Sequence, residues 1–165
     1  MIKKILVMGD PRLLRAAKAV EDHEFTELKT IVDDMYDTMM AEGGVGLAAP
    51  QIGVDLRLIM LNLEAPTVII NPWMGIHDEE TNEDYEGCLS VPGLIGLVPR
   101  FTNIRYGGMI KNYCDRWEDF NQSFVDASGF HARVFQHEFD HLQGILYPRR
   151  ITDLTKFGFV DTNVK

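Results

Sequence analysis

The segment from His137 to His141 constrains the fold of this chain more than any other part of its sequence. The two histidines are four residues apart, and four residues advance an α-helix by about 400°, so their imidazoles project about 40° apart on successive turns. Phe130 and Val134 precede them at helical spacing and continue the same stripe. The pattern predicts a helix over residues 128–142 whose apolar and imidazole face points inward.

Glu138 lies between the two histidines and completes a His-Glu-x-x-His motif. Two imidazoles on one helix face can bind a divalent cation, and a neighbouring carboxylate can accept a proton from a metal-bound water. The motif by itself leaves a chance pair of histidines open as an alternative. The apolar stripe that leads into the motif favours a catalytic metal.

A catalytic metal of this kind needs a third protein ligand and one position left for water. Metallopeptidases with this motif take that ligand from downstream, but after His141 the chain has no His or Glu, only Asp153 and Asp161. Upstream lies Cys88, whose thiolate would be a strong ligand for Zn²⁺ or Fe²⁺, although a buried inert cysteine is the alternative. A structural zinc site usually has four protein ligands, and a fourth is missing.

The composition predicts one globular domain over residues 1–165. Hydrophobic residues make up 45% and charged residues 25%, which is typical of a soluble protein. A net charge of -9 and the absence of a Lys/Arg cluster argue against nucleic-acid binding. The apolar run near the start is too short for a signal peptide or a membrane span, so we expect a cytoplasmic protein without a membrane partner.

Short apolar runs predict strands in the middle of the chain. They lie at 55–61, 67–70, 88–91, 95–98 and 103–106, and they are expected to end or break at Pro72, Pro92-Gly93 and Pro99. The polar, acidic stretch 76–85 carries no strand signal. Residues 107–126 have no clear period, but a hairpin is favoured because Phe120, Phe124 and Val125 resemble a resumed strand.

An earlier helix is predicted from about residue 26, where apolar positions recur at three and four, to Gly43-Gly44. Early strands and a late functional helix favour the α+β class, with helices on one side of mostly antiparallel strands. The strands are expected to pack around a central C-terminal helix that carries the His-Glu-x-x-His motif.

The segment Gly43–Gly53 collects small residues around one amide, Gln51. It does not match a phosphate-binding loop, because it lacks a Gly-Lys-Ser/Thr ending and Pro50 interrupts it. Its glycines would allow close approach of a backbone, and Gln51 could donate an N–H to a developing oxyanion. A tight structural turn is the alternative.

Three segments together resemble the signature motifs of the peptide deformylases: 44–51 (Gly-Val-Gly-Leu-Ala-Ala-Pro-Gln), 86–90 (Glu-Gly-Cys-Leu-Ser) and 136–142 (Gln-His-Glu-Phe-Asp-His-Leu). Their order and separation fit, and residues 9–14 resemble the N-terminal segment of that family. The resemblance implies a hydrolase that removes the formyl group from formyl-methionine of nascent polypeptides and releases formate. The nucleophile would be a metal-bound water.

The resemblance also implies roles for individual residues. Cys88, His137 and His141 would bind one divalent metal ion, Fe²⁺ in native enzymes and often Zn²⁺, Ni²⁺ or Co²⁺ in preparations. Glu138 would be the general acid/base.

The oxyanion that develops on the formyl group would be bound by the side-chain amide of Gln51 and the backbone N–H of Leu89. The methionine side chain would enter an apolar pocket lined by Val45, Phe130 and Val134.

Two further residues, Gly46 and Glu86, are expected to contact the substrate backbone. Asp140, on another face of the helix, is expected to be a structural partner of Arg100. The substrates would be N-formylated nascent peptides at the ribosome, and the oligomeric state stays open.

One departure from the resemblance concerns the strand after the second motif, where many relatives carry an arginine and this chain has Ile95. Ile95 is the one hint of a catalytically weakened, deformylase-like binding protein, against which the intact Glu138 argues. The other alternative is a His-Glu-x-x-His metallopeptidase, which the missing downstream ligand disfavours.

Overall fold

Two antiparallel sheets and two α-helices make up the fold in a computed structural model that describes residues 1–21 and 25–160. In chain order the elements are α1 (Phe25–Ala41), β1 (Gly46–Ala48), β2 (Leu58–Asn62), β3 (Pro66–Ile76), β4 (Thr81–Cys88), β5 (Val91–Phe101), β6 (Asn103–Asn112), β7 (Asn121–Ser128), α2 (Gly129–His141) and β8 (Phe157–Phe159). One sheet has the strand order β1-β2-β3-β6-β7 and the other β4-β5-β8. The expected α+β class with antiparallel strands is confirmed.

The five-stranded sheet is covered by a helix on each face. Along β2, Leu58 and Met60 join the apolar face of α1, whereas Ile59 and Leu61 join that of α2. Successive side chains of a strand point to opposite faces of the sheet. A run of consecutive buried residues therefore requires a packed element on each face. The expectation that the helices share one side of the strands was therefore wrong.

Helix α2 lies between the two sheets. Its Phe135 stacks on Tyr106 of β6 at a centroid distance of 3.9 Å, within the core of the five-stranded sheet. Its Arg133 donates to the backbone carbonyl of Val98 in β5, which belongs to the three-stranded sheet. The expected central helix is confirmed, and this position brings its histidines next to the end of β4.

Prolines do not end the strands where the sequence suggested. β3 passes through Pro72, with a register shift there and a left-handed backbone at Asn71 (φ 49°). The Asn71 side chain is anchored to both backbone groups of Val20. β5 contains Pro92 and Pro99 because β8 pairs only with its middle, which leaves one edge of β5 without a described strand partner at both prolines.

The apolar run 88–91, expected to be a strand, is a turn. Cys88 ends β4 and pairs with Val91 of β5, so Leu89 and Ser90 form a two-residue connection. β4 itself begins in the acidic stretch that carried no strand signal. Its first residues are exposed at the sheet edge, so burial imposes no alternation there.

The hairpin favoured for residues 107–126 is confirmed by β6 and β7, which pair from Asn103 with Ser128 to Ile110 with Asn121. In the described part of the chain, neither α1 nor α2 combines the length and the apolar character of a membrane-spanning helix.

Candidate active site

Three possible metal ligands converge where α2 meets the end of β4. His137 and His141 lie on successive turns of α2, and Cys88 is the last residue of β4. One ligand atom from each lies within 4.8 Å of the others. Cys88 Sγ is 3.3 Å from His141 Nε2, and the two imidazole rings are 5.2 Å apart between centroids.

The donor atoms fit a divalent transition metal. A thiolate and two imidazoles suit Zn²⁺ and Fe²⁺, and three protein ligands leave a position for water or substrate. Burial, and then the neighbouring His137, lowers the pKa of His141 well below its usual value, which keeps its imidazole neutral. The neutral ring is the form that binds a metal.

The carboxylate of Glu86 orients the imidazole ring of His137 through its Nδ1 atom. Glu86 Oε2 is 2.9 Å from His137 Nδ1, which leaves Nε2 for a metal. Arg100 donates to both Glu86 oxygens at 2.9 Å, and Arg133 donates to Oε1 at 2.8 Å. Burial raises the pKa of Glu86, but the hydrogen bonds from Arg100 and His137 outweigh it and lower that pKa to about 2.

This arrangement changes the interpretation of Glu86. All four acceptor positions of the carboxylate are occupied by protein donors, so the side chain is not free to bind the backbone of a peptide. The contact between Glu86 and His137 Nδ1 instead orients the imidazole of His137, one of the three possible metal ligands. Arg100 also donates to Asp140 at 2.6 Å, which confirms the expected pairing of Asp140 with Arg100.

Glu138 is a buried carboxyl beside the three ligands, with 5% of its surface exposed. Burial raises its pKa to about 7, against the lowering effect of the nearby His137. Its Oε2 has no hydrogen-bond partner among the described residues. A carboxyl with a pKa near neutrality and one uncommitted oxygen is suited to proton transfer at physiological pH.

Gln51 directs its side-chain amide N–H towards the sulfur of Cys88. Its Oε1 accepts from the backbone N–H of Ala48 at 2.8 Å, which fixes the orientation of the side chain within a short 3-10 helix, Ala49–Ile52. Its Nε2 donates to Ser90 Oγ at 3.2 Å and lies 3.6 Å from Cys88 Sγ. Leu89 follows Cys88 directly, so its backbone lies beside the same sulfur.

A cavity of about 530 Å³ opens onto this group. The five residues expected to bind substrate all line it: Val45, Gly46, Glu86, Phe130 and Val134. Val134 lies inside with 6% of its surface exposed, whereas Phe130 lies at the mouth with 62% exposed. A cavity of this size and apolar lining can hold a methionine side chain together with part of the following peptide.

The cavity lining includes Ile95, which the sequence analysis singled out, and two residues that it missed, Val160 and Arg133. Val160, just after β8, lines the mouth because β8 pairs with β5 beside Ile95. Ile95 lies opposite Gly158 of β8 and also lines the cavity. Arg133 was missed as well, although its spacing of four from His137 placed it on the same helix face.

Comparison with known proteins agrees with this geometry. The sequence profile of the family described as polypeptide deformylase matches residues 2–157. The chain belongs to this family. Peptide deformylase 1 of Bordetella pertussis is 51% identical over 173 residues, covering 98% of this chain and 94% of the relative, and peptide deformylase 1 of Nitrosomonas europaea is 49% identical with the same coverage of both chains.

Solved peptide deformylase structures share the fold. That from Thermus thermophilus has a TM-score of 0.80 and 40% identity, covering 91% of this chain and 86% of its own. That from Thermotoga maritima has a TM-score of 0.80 and 37% identity, covering 93% and 99%. Peptide deformylases are metal-dependent, and the Cys88, His137 and His141 group is the possible metal site here.

Proposed function

We propose that this deformylase hydrolyses the amide bond between a formyl group and the amino group of an N-terminal methionine, releasing formate. The observation that carries the proposal is the buried Glu138 carboxyl beside three convergent ligands at the base of an apolar cavity. Cys88, His137 and His141 would bind one divalent metal, with Fe²⁺ native and Zn²⁺, Ni²⁺ or Co²⁺ as substitutes.

A bound cation would polarise the formyl oxygen and supply a water nucleophile at neutral pH. Glu138 would accept a proton from that water through its uncommitted oxygen and deliver it to the departing amine nitrogen. The amide N–H of Gln51, oriented by Ala48, would donate to the formyl oxygen as negative charge develops on it. The backbone N–H of Leu89 is proposed as the second donor.

The cavity supports formyl-methionine as the recognised end group. Val45 and Val134 provide apolar walls beside the ligands, and Phe130 extends the wall to the mouth. Gly46 brings an unhindered backbone to the same wall, where an extended peptide can approach closely. We further propose that the substrates are nascent peptides at the ribosome, in the cytoplasm, and that residues 1–165 act as one domain.

The test is formate release from a formyl-methionyl tripeptide by the metal-loaded protein and by Glu138→Gln. The parent should release formate, and Glu138→Gln should lower kcat by about 10²- to 10⁴-fold, the usual contribution of a general acid/base. Metal content measured on both proteins is the control, because the substitution removes a charge but none of the three ligands. Absence of formate release by the parent would refute the proposal.

Two other functions would give different results in the formate assay combined with a casein digestion. A metallopeptidase would digest casein without releasing formate, and a binding protein without activity would retain the tripeptide intact. The second alternative rests on Ile95, which lines the cavity from β5, whereas the three possible ligands lie on β4 and α2. We therefore assign it to contacts with the peptide beyond methionine.

A further inference from the structure

Two successive turns of α2 bind the same carboxylate. Arg133 Nη1 donates to Glu86 Oε1 at 2.8 Å, and His137 Nδ1 lies 2.9 Å from Glu86 Oε2. Residues four apart on a helix share one face, so one side chain from β4 spans both turns. Among the described residues, the guanidinium of Arg133 hydrogen-bonds to Glu86, Val98 and Asn82 and to none of the proposed metal ligands, so its effect on the ligands would pass through Glu86.

The guanidinium of Arg133 also joins α2 to both long strands of the three-stranded sheet. Its Nη1 donates to the carbonyl of Val98 in β5 at 2.8 Å. Its Nη2 donates to the carbonyl of Asn82 in β4 at 2.9 Å and to the side-chain oxygen of the same residue at 2.8 Å. The side chain is buried, and its planar fork satisfies these partners in one orientation.

The ligands of the site come from these same two elements. Cys88 lies two residues after Glu86 in β4, and His137 lies four residues after Arg133 in α2. The pairing of β4 with β5 is irregular between Glu86 and Cys88, so the ladder by itself does not determine where the sulfur lies. The separation between sulfur and imidazoles depends on the contacts that join β4 to α2. Those of Glu86 lie next to the ligands along both elements, because Glu86 contacts His137 directly and Arg133 one turn earlier in α2.

We propose that Arg133 is a positioning residue that, through Glu86, sets the position of the Cys88 sulfur relative to the imidazoles of α2. The inference rests on the proposed function, since it assumes that these side chains bind a catalytic metal. Arg100 remains bound to Glu86 when Arg133 is replaced, so the carboxylate keeps one cationic partner and the fold keeps its other tie to Asp140.

The variants are Arg133→Met, which keeps an unbranched apolar stem but removes the guanidinium, and Arg133→Lys, which keeps the charge but not the fork. Co²⁺ affinity and the absorption spectrum of the Co²⁺ protein are measured alongside kcat and KM for formate release at saturating metal. Replacing a group that orients a metal ligand commonly weakens metal binding by about 10- to 100-fold. We expect a loss of that size for Arg133→Met, an altered Co²⁺ spectrum, a lower kcat and a smaller change in KM.

The Co²⁺ affinity and kcat of Arg133→Lys should lie between those of Arg133→Met and those of the parent. If Arg133→Met does not fold, the inference is tested with Arg133→Lys. Arg105→Met is the matched control, because Arg105 makes a similar fork to Asp126 on the exposed side of the other sheet. Its Co²⁺ affinity and kcat should equal those of the parent.

A double-mutant cycle with Glu86→Gln separates positioning from general destabilisation. If Arg133 acts through Glu86, Arg133→Met should have little further effect on Co²⁺ affinity in the Glu86→Gln background. Additive losses, or Co²⁺ affinities of Arg133→Met and Arg133→Lys equal to that of the parent, would overturn the inference. Co²⁺ binding is measured without substrate, so a failure of deformylation by the parent is distinguishable from a failure of this inference.

Discussion

An alanine at position 46 would place a methyl group against the carboxylate of Glu138. A Cβ built on Gly46 lies 2.6 Å from Glu138 Oε1 and 2.8 Å from its Cγ, and real Cβ atoms essentially never approach heavy atoms closer than 3.0 Å. Gly46 does not have a left-handed backbone, so alanine meets no conformational obstacle there. We expect Gly46→Ala to fold and to displace Glu138.

The magnitude follows from the role proposed for Glu138. A positioned general acid/base is worth about 10²- to 10⁴-fold in rate. At about 1.4 kcal/mol for each factor of ten, this is about 3–5 kcal/mol of barrier. Gly46→Ala should therefore lower kcat for formate release by at least an order of magnitude and at most as much as Glu138→Gln does. Metal affinity should be unchanged, since the three ligands are untouched.

The matched control is Gly44→Ala, two residues away in the same cavity wall. A Cβ there meets its nearest neighbours at 3.4 Å, among them Leu89 Cδ1 and Met39 Cγ, and neither belongs to the proton-transfer machinery. Gly44→Ala should retain a kcat near that of the parent. The double variant Gly46→Ala/Glu138→Gln should be no slower than Glu138→Gln alone. A parental kcat for Gly46→Ala, with only KM altered, would refute the assignment of Glu138.

Two further predictions concern stability away from the cavity. The buried Lys111 ammonium donates to three backbone carbonyls at and just after the end of β6, so Lys111→Met should lower the free energy of unfolding in urea by about 2–4 kcal/mol without changing kcat. Hydrogen bonds from Arg105 and His77 hold the pKa of Asp126 below its usual value. Their stabilisation is therefore present above pH about 4 and lost as the pH falls further, so the Tm values of Asp126→Asn and the parent should differ at pH 7 and converge in acid.

Local patterns were sufficient for the two helices, whereas the hairpin of β6 and β7 was only favoured, because residues 107–126 have no clear period. In α2 the spacing of Phe130, Val134, His137 and His141 depends only on neighbouring turns of one helix. The structure has that helix at Gly129–His141. The strand predictions failed where the outcome depends on a partner. Pro72 lies inside β3 because Asn71 has a left-handed backbone conformation that accommodates the register shift. Nothing in the local sequence predicts that conformation.

The amino-acid sequence by itself determined the identities of the side chains around the site, because His137, Glu138 and His141 lie on adjacent turns and the segments around Cys88 and Gln51 carry recognisable patterns. Only the tertiary structure decided what Glu86 does. Its neighbours in space come from β5 and from two turns of α2, and their four hydrogen bonds turn an expected substrate contact into a support for His137. The contacts of a buried carboxylate depend on which cations the fold brings to it, and that depends on long-range packing of elements far apart in the chain.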